Sequence, residues 1–436
     1  MKKLFTCSLS LAIAFSINAE DLKILSLGQG TPGIDEPQLC GLGISPDGRY
    51  ACGSVEFGEG VFAMDVQNGV SNCEFTSDSE LRKIDNNGLA IGFLGDMGIT
   101  YSWNGEVNEL TVPDENCKYI LGEDLSSDGS VKVGSLVWKG YVTYAAYSVS
   151  GGEWTRLPMP PAEQLGGYGD ESSAKGISGD GKYIIGHVGS FGPIIMWVRN
   201  DDGSYEPDAL FARFCAMDRS ELAEKPLANL TPIAISNNGV YVLCSAARLL
   251  VSDDGFEDLA NFPAVYNTAT GELKVYDEQQ AIDEAEAGLM GCAIADDGTF
   301  VGIVGRLPLN ESMGCFVMKA GETQAQLFVD AYPKYAEKFE FADMLGFSVP
   351  TDMSADGSKI IGYAFCADDF MDEMSPAYFL TYIIEVDNGG SAVDSIGSLP
   401  ASEGVYSIDG VRLSEMGKGL NIVRMADGTV RKVLKK

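Results

Sequence analysis

One short pattern recurs seven times in this chain and restricts what it can fold into. An apolar residue, a Ser-like residue, any residue, Asp or Asn and then Gly lead into an alternating β-branched or aromatic run that usually closes on Gly. The copies are GISPDGRYACG (43–53), KIDNNGLAIG (83–92), DLSSDGSVKVG (124–134), GISGDGKYIIG (176–186), AISNNGVYVLC (234–244), AIADDGTFVGIVG (293–305) and DMSADGSKIIG (352–362). Asp-Gly or Asn-Gly between two alternating runs is a strong hairpin signal and predicts a tight primed turn with positive φ. A second signature follows each copy, an apolar strand, a turn and another strand, as in VFAMDVQNGV (61–70) and TYSWNGEVNEL (100–110). Hairpin plus hairpin makes four strands per repeat. The anchoring glycines stand 40 residues apart at first (Gly48 to Gly88) and 59 at the end (Gly298 to Gly357). Four-strand units at this spacing bury their faces only by stacking on neighbours, so the expected fold is all-β, a seven-bladed β-propeller.

Outside the repeats the chain divides into expected segments: a signal peptide over 1–19, the propeller over 20–387, a Gly/Ser-rich linker over 388–400 and a small C-terminal β-module over 401–436. Met1-Lys-Lys, a short apolar run and Asn18-Ala19 have the layout of a secretory leader too short to span a bilayer stably. Export places the protein outside the cell or on its surface. The strand-like LKILSL (22–27) precedes the first repeat and is expected to close the ring by pairing with the last blade, removing an exposed edge. Three segments between repeats have helical spacing and few β-branched residues, 208–225, 277–287 and 330–345. They predict helical insertions on one face of the disc.

The repeat resembles the HAF-type extracellular repeat of bacterial propellers over roughly 38–386, a likeness that implies architecture. The tail, with VYSIDGVRL, GKGLNIVR and DGTVRKVLKK over 405–436, resembles the C-terminal sorting domain of the type IX secretion route of Bacteroidetes-like bacteria. That likeness implies a β-sandwich read by secretion machinery; Leu420-Asn421 stands where the family usually has an aromatic.

Formal charge is −33, which argues against nucleic acid and anionic lipid as partners. The tail reverses the sign, with seven Lys/Arg against four Asp/Glu from Ala401 onward. GQGTPG (28–33) satisfies G-x-G-x-x-G, but no helix follows to hold a pyrophosphate. A single histidine, His187, excludes histidine metal clusters, and no G-x-S-x-G elbow accompanies it. Nine cysteines remain after the leader, none in C-x-x-C, and Cys52, Cys244, Cys292 and Cys315 fall in strand-like runs as expected buried thiols. No cofactor is expected. The Asp-rich turns at 201–203, 253–255 and 296–298 offer hard oxygen ligands to Ca²⁺, though none completes an EF-hand loop.

In a four-strand meander the loops between strands two and three share a face with the blade-to-blade connections. Function concentrates in long loops on a rigid scaffold, so that face is the expected binding surface. Its candidate ligand residues are Trp138, Tyr141, His187, Phe191, Arg248, Asp253, Asp254, Arg306, Asp368, Asp369 and Phe370, with Asp96, Asp258 and Asp372 nearby. Aromatics, arginines and carboxylates of this kind grip a glycan, peptide or protein. The resulting expectation is a non-catalytic binding or scaffold propeller; the alternative is a carbohydrate-active hydrolase or lyase using carboxylates of the same face.

Overall fold

A computed structural model describes residues 22–27, 37–56, 58–165, 169–189, 192–210, 227–251, 257–276, 288–305, 314–345, 348–367 and 377–386. Beyond these it describes the strands Ser402–Ser407, Arg412–Leu413, Gly419–Met425 and Val430–Lys435. The chain divides into two compact units, Met1–Val386 and Asp387–Lys436.

The first unit is a seven-bladed β-propeller. Six blades are four-stranded antiparallel meanders, over 39–74, 79–109, 117–156, 172–208, 227–275 and 288–327. In the seventh, Ser348–Met353, Lys359–Ala367 and Ala377–Glu385 are joined on the outside by the N-terminal strand Leu22–Ile24, which pairs antiparallel with Ala377–Glu385. The expected ring closure is therefore present, and Lys23 reinforces it with a 2.7 Å bridge to Glu385. Across the same seam Thr351 Oγ1 donates to the carbonyl of Gly41 at 2.8 Å, and Thr381 Oγ1 to that of Leu39 at 2.6 Å.

The repeated hairpin is not a two-residue primed turn. In the first blade Gly48 N–H donates to Ser45 O and Ser45 N–H to Tyr50 O, and only Gly48, at φ 71°, takes the left-handed conformation. The Ser and Asp side chains explain the difference. Ser45 Oγ donates to Asp47 Oδ1 at 2.6 Å, and the two oxygens accept the N–H groups of Arg49 and Tyr50. The same Ser–Asp/Asn bond forms at Ser126, Ser178, Ser236 and Ser354. A side-chain-braced loop needs positive φ at one residue, which Gly supplies.

The Gly that closes most copies has a different cause. Each inner strand carries a bulge, at Leu42, Arg82, Glu123, Lys175, Ile233, Cys292 and Thr351, where the ladder skips one residue. Opposite it the second strand runs so close that a Cβ on Gly53, Gly92, Gly134, Gly186, Gly302 or Gly362 would strike an inner-strand carbonyl oxygen. The fifth blade has Cys244 there, paired with Pro232.

The core lies between blades, where side chains of neighbouring sheets interdigitate. One such layer joins blades three and four, with Trp197 fully buried among Val133, Ala145, Ile184 and Tyr205. Cys52, Cys244 and Cys315 are buried as expected, while Cys292 is partly buried on the axis. Helices occupy Phe328–Ala331 and Pro333–Leu345, the third of the expected helical segments. They dock Phe328, Tyr335 and Phe339 onto Tyr382 of the last blade. Of the other two, 211–226 and 277–287 lie outside the described residues.

The second unit is a four-stranded antiparallel sheet in which Ser402–Ser407 pairs with both Arg412–Leu413 and Gly419–Met425, and Gly419–Met425 with Val430–Lys435. The expected leader and linker, 1–19 and 388–400, lie outside the described residues.

Candidate functional site: an axial channel and its loop rim

The seven inner strands line a channel along the propeller axis, and the repeat decides its texture. Just before each hairpin turn comes an apolar residue, Ile44, Ile84, Leu125, Ile177, Ile235, Ile294 or Met353, and together these wall a chamber of about 210 Å³. Below the chamber the turns are knitted into a ring. Asn86, Ser127, Gly179, Asp296 and Ala355 each donate their N–H to the carbonyl of the matching residue in the next blade, at 2.7–3.0 Å, the bond from Ala355 reaching Pro46 across the closure. Pro46 has no N–H to give, and Asp47 N–H bonds Asn86 Oδ1 at 2.9 Å in its place. Between the fifth and sixth blades Asn238 N–H bonds Asp296 Oδ1 at 2.7 Å.

At the bulges the axis becomes charged. The residue after the bulge is Gly43, Gly176, Ala234 or Ala293 in four blades but Lys83, Asp124 and Asp352 in the other three. Lys83 Nζ reaches past Gly43 to Asp352 Oδ1 at 2.6 Å. Asp352 Oδ2 accepts Ile44 N–H at 3.1 Å and Asp124 Oδ2 accepts Ile177 N–H at 2.9 Å, so each carboxylate staples its blade to the next. Burial pushes the Asp124 carboxyl up to about 6, against the pull of Lys83 and two backbone N–H groups. For Lys83 burial opposes the charge, but Asp352 and Asp124 outweigh it and hold the ammonium above its ordinary value.

The bulged residues add a second network. Glu123, almost fully buried, accepts Lys175 Nζ at 2.9 Å on one oxygen and the Arg82 guanidinium on the other. Arg82 Nε also donates to Glu80 at 2.7 Å, and the guanidinium lies 5.4 Å from the centre of the Phe93 ring. A buried carboxylate clasped by two cations is well compensated and fixes both partners in place.

Beyond this girdle the channel widens into a vestibule of about 590 Å³ on the side of the long loops, lined by Arg82, Lys83, Glu123, Lys175, Thr143, Ser173, Thr231 and His187. His187 is not a loop residue. It sits in the second strand Tyr183–Val188, buried, with Nδ1 2.7 Å from the carbonyl oxygen of Gly189. A carbonyl only accepts, so Nδ1 carries the proton. Burial, with Lys175 acting in the same direction, lowers the imidazole pKa and keeps the ring neutral.

The other expected ligand residues are distributed unevenly. Trp138 and Tyr141 flank the tight second-to-third-strand connection of the third blade, closed by Tyr141 N–H to Trp138 O at 2.9 Å. Tyr141 is 70% exposed at φ 63°, with Lys118 Nζ 3.9 Å from its ring centre. Trp138 is half-buried against Tyr144, and its indole N–H has no hydrogen-bond partner. Asp96 is exposed in the corresponding loop of the second blade. Arg248 and Asp258 belong to strands, not a loop, because Tyr241–Val251 and Glu257–Asn267 pair along their full length. Phe191, Asp253, Asp254, Arg306, Asp368, Asp369, Phe370 and Asp372 lie outside the described residues. The girdle residues Arg82, Lys83, Glu123, Asp124, Lys175 and Asp352 were missed. For Lys83, Asp124 and Asp352 the signal was a charge at a position that four copies fill with Gly or Ala, and for Arg82, Glu123 and Lys175 a charge at the preceding position, which holds Leu42, Ile233, Cys292 and Thr351 in the other blades.

Among the described residues no three His, Cys, Asp or Glu side chains converge on a metal-sized site. Asp202, in one of the expected calcium turns, is engaged by the N–H and hydroxyl of Ser204. No helix of the described residues is long and apolar enough to cross a membrane.

What fold and site define is a propeller with a charge-girdled axial channel. No family model and no curated protein matches the chain. Among solved structures it is similar to a TolB from Agrobacterium tumefaciens, at 11% identity and a TM-score of 0.35 over 70% of this chain and 87% of that one. It is also similar to the β-propeller domain of the Trilobed protease from Pyrococcus furiosus, at 9% and 0.42 over 92% and 98%. A puromycin hydrolase gives 10% and 0.45 over 89% and 58%, so this chain spans little more than half of that protein. At these identities the likeness is one of fold.

Proposed function

We propose that the protein is an exported, non-catalytic binding module that takes a glycan, peptide or protein ligand on its long-loop face, over the mouth of the vestibule. The observation that carries this reading is the vestibule, about 590 Å³ with hydroxyl, imidazole and paired charged groups, whose lining includes Thr143, two residues beyond Tyr141. Ligand pockets combine a preformed concavity with a few placed polar groups in this way. Glycoside hydrolysis needs two carboxyl groups flanking the scissile bond. Glu123 is the one carboxylate lining the vestibule among the described residues, and Arg82 and Lys175 already hold it. Phe191, Arg248, Asp253, Asp254, Arg306, Asp368, Asp369 and Phe370 belong to the same proposed surface.

The test is a glycan and peptide array probed with the chain from Glu20 onward, with product analysis in the same wells. Retention that drops in Trp138→Ala and Tyr141→Ala, without loss of thermal stability, is the expected result; turnover products would replace this reading with the hydrolase one. The HAF-type repeat identity, the leader and the tail as a sorting signal are part of the proposal. Deleting 401–436 should leave the protein inside the producing cell, and unchanged export would remove the sorting role.

A further inference from the structure

We infer that the loop rim of blades one to three is a docking surface for a basic polypeptide segment carrying apolar side chains. The inference rests on the loop-face reading above and goes beyond it by naming the sector and the partner.

Four large apolar side chains are exposed there: Phe75 (45%) and Val112 (37%) on the connections into blades two and three, Met97 (44%) at the start of the third strand of blade two, and Tyr141 (70%) in the second-to-third-strand loop of blade three. Of the three others exposed among the described residues, Val107 and Val149 flank turns of the opposite face and Met290 stands on an inner strand. Scattered apolar residues mean little, whereas a contiguous set marks an interaction site. Backbone bonds tie the set into two groups: Ser79 N–H bonds Gly58 O and Gly95 N–H bonds Asp78 O, joining blades one and two, and Lys139 N–H bonds Asn116 O within blade three, all at 3.0–3.1 Å. A cleft of about 190 Å³ between Phe93 and Met97 of blade two and Tyr119 of blade three bridges the groups and has room for one apolar side chain.

Backbone strain falls in the same place. Of the four non-glycine residues with left-handed φ among those described, Glu56, Asp78 and Tyr141 lie on this rim. Such conformations cost about 1–3 kcal/mol each and tend to persist where a functional surface requires them.

Charge selects the occupant. Glu56, Glu59, Asp78, Asp96, Asp114 and Glu115 are exposed around the apolar set, against Lys118 and Lys139, and Lys118 is turned onto Tyr141. An acidic border repels an acidic chain and steers a basic one. A second copy of this chain, at −33, is thereby disfavoured as the occupant.

The probe is a short synthetic peptide alternating Lys and Leu, with Glu/Leu and Lys/Ser counterparts, titrated at physiological salt and followed by anisotropy and hydrogen exchange. The Lys/Leu peptide should bind, protect amides of the loops around Glu56, Asp78, Asp96 and Tyr141, and lose at least about tenfold in affinity in Met97→Ser/Tyr141→Ser. Val107→Ser/Val149→Ser should bind as the parent does. Equal binding of the Lys/Ser peptide, or equal weakening in the control pair, would reduce the effect to bulk charge and overturn the inference. Absence of binding overturns it too, while the array experiment continues to judge the loop-face reading. Protection confined to the vestibule or to blades four to seven sinks the sector alone, and protection of the turn face sinks both readings.

Discussion

The two faces of the disc are made by the same repeat and follow different rules. On the turn face every blade contributes a loop with Gly in the left-handed position and a bond to the next blade at every junction, and five of the seven loops share the Ser–Asp/Asn brace, Asp85 and Ala295 standing at the Ser position in the other two. On the loop face of blades one to three, left-handed conformations fall on Glu56, Asp78 and Tyr141, and apolar side chains stand in solvent. On the turn face Ser150, at φ 50°, is the one left-handed non-glycine among the described residues, whereas the loop face of blades one to three carries three such conflicts between preference and conformation. Local conflict of that kind is expected where a surface serves something other than stability.

The largest test addresses the scaffold that both faces share. Gly186→Ala drives a Cβ into the carbonyl oxygen of Ser173 and within 2.9 Å of Trp197, so it should cost about 2–3 kcal/mol in denaturant unfolding. Cys244→Ala, at the one blade where this position already carries a side chain, should cost about 1 kcal/mol. Equal costs would mean that the close approach opposite the bulge is not what selects Gly.

A smaller effect is expected from the girdle. The Asp124 carboxyl, raised by burial to about 6, binds a proton more tightly folded than unfolded. Its contribution therefore falls as pH rises from about 4 to about 6 and is flat above. Asp124→Asn should flatten that segment of the stability curve; an unchanged slope would show that the carboxyl is not the group titrating there. On the turn face, Ser178→Ala removes a hydroxyl that donates to Asp180 and accepts from Lys182 and Tyr183 N–H, at about 1–2 kcal/mol. Ser45, Ser126, Ser236 and Ser354 should cost the same within error. Wide scatter among the five would break the claim that the braced loops are equivalent.

How much of this was legible follows from what repeats. Blade number, the closing strand at Leu22–Ile24 and the hairpin positions were readable because each recurs or completes a recurring unit. The turn type was not, since Asp-Gly alone points to a primed turn and the Ser two residues earlier redirects it. His187 reads as a loop-face residue from its place just before Phe191, yet it pairs with Ser173 inside the second strand and lines the vestibule. Lys83, Asp124 and Asp352 were visible as departures from Gly or Ala, but their meaning depends on a ring geometry that brings residues 83 and 352 to 2.6 Å.

The least disruptive change bears most directly on the comparison. Tyr141 has its left-handed φ at a cost of about 1–2 kcal/mol relative to Gly, which Tyr141→Gly would relieve. The substitution also loosens the unfolded chain by about 0.5–1 kcal/mol and loses the Lys118 contact, about 0.5 kcal/mol. Net stability should stay within about 0.5 kcal/mol of the parent, while retention of a loop-face ligand falls. A loss of stability as large as that of Ser178→Ala would mean that the tyrosine holds the fold together, and the distinction between the faces would fail at its most exposed residue.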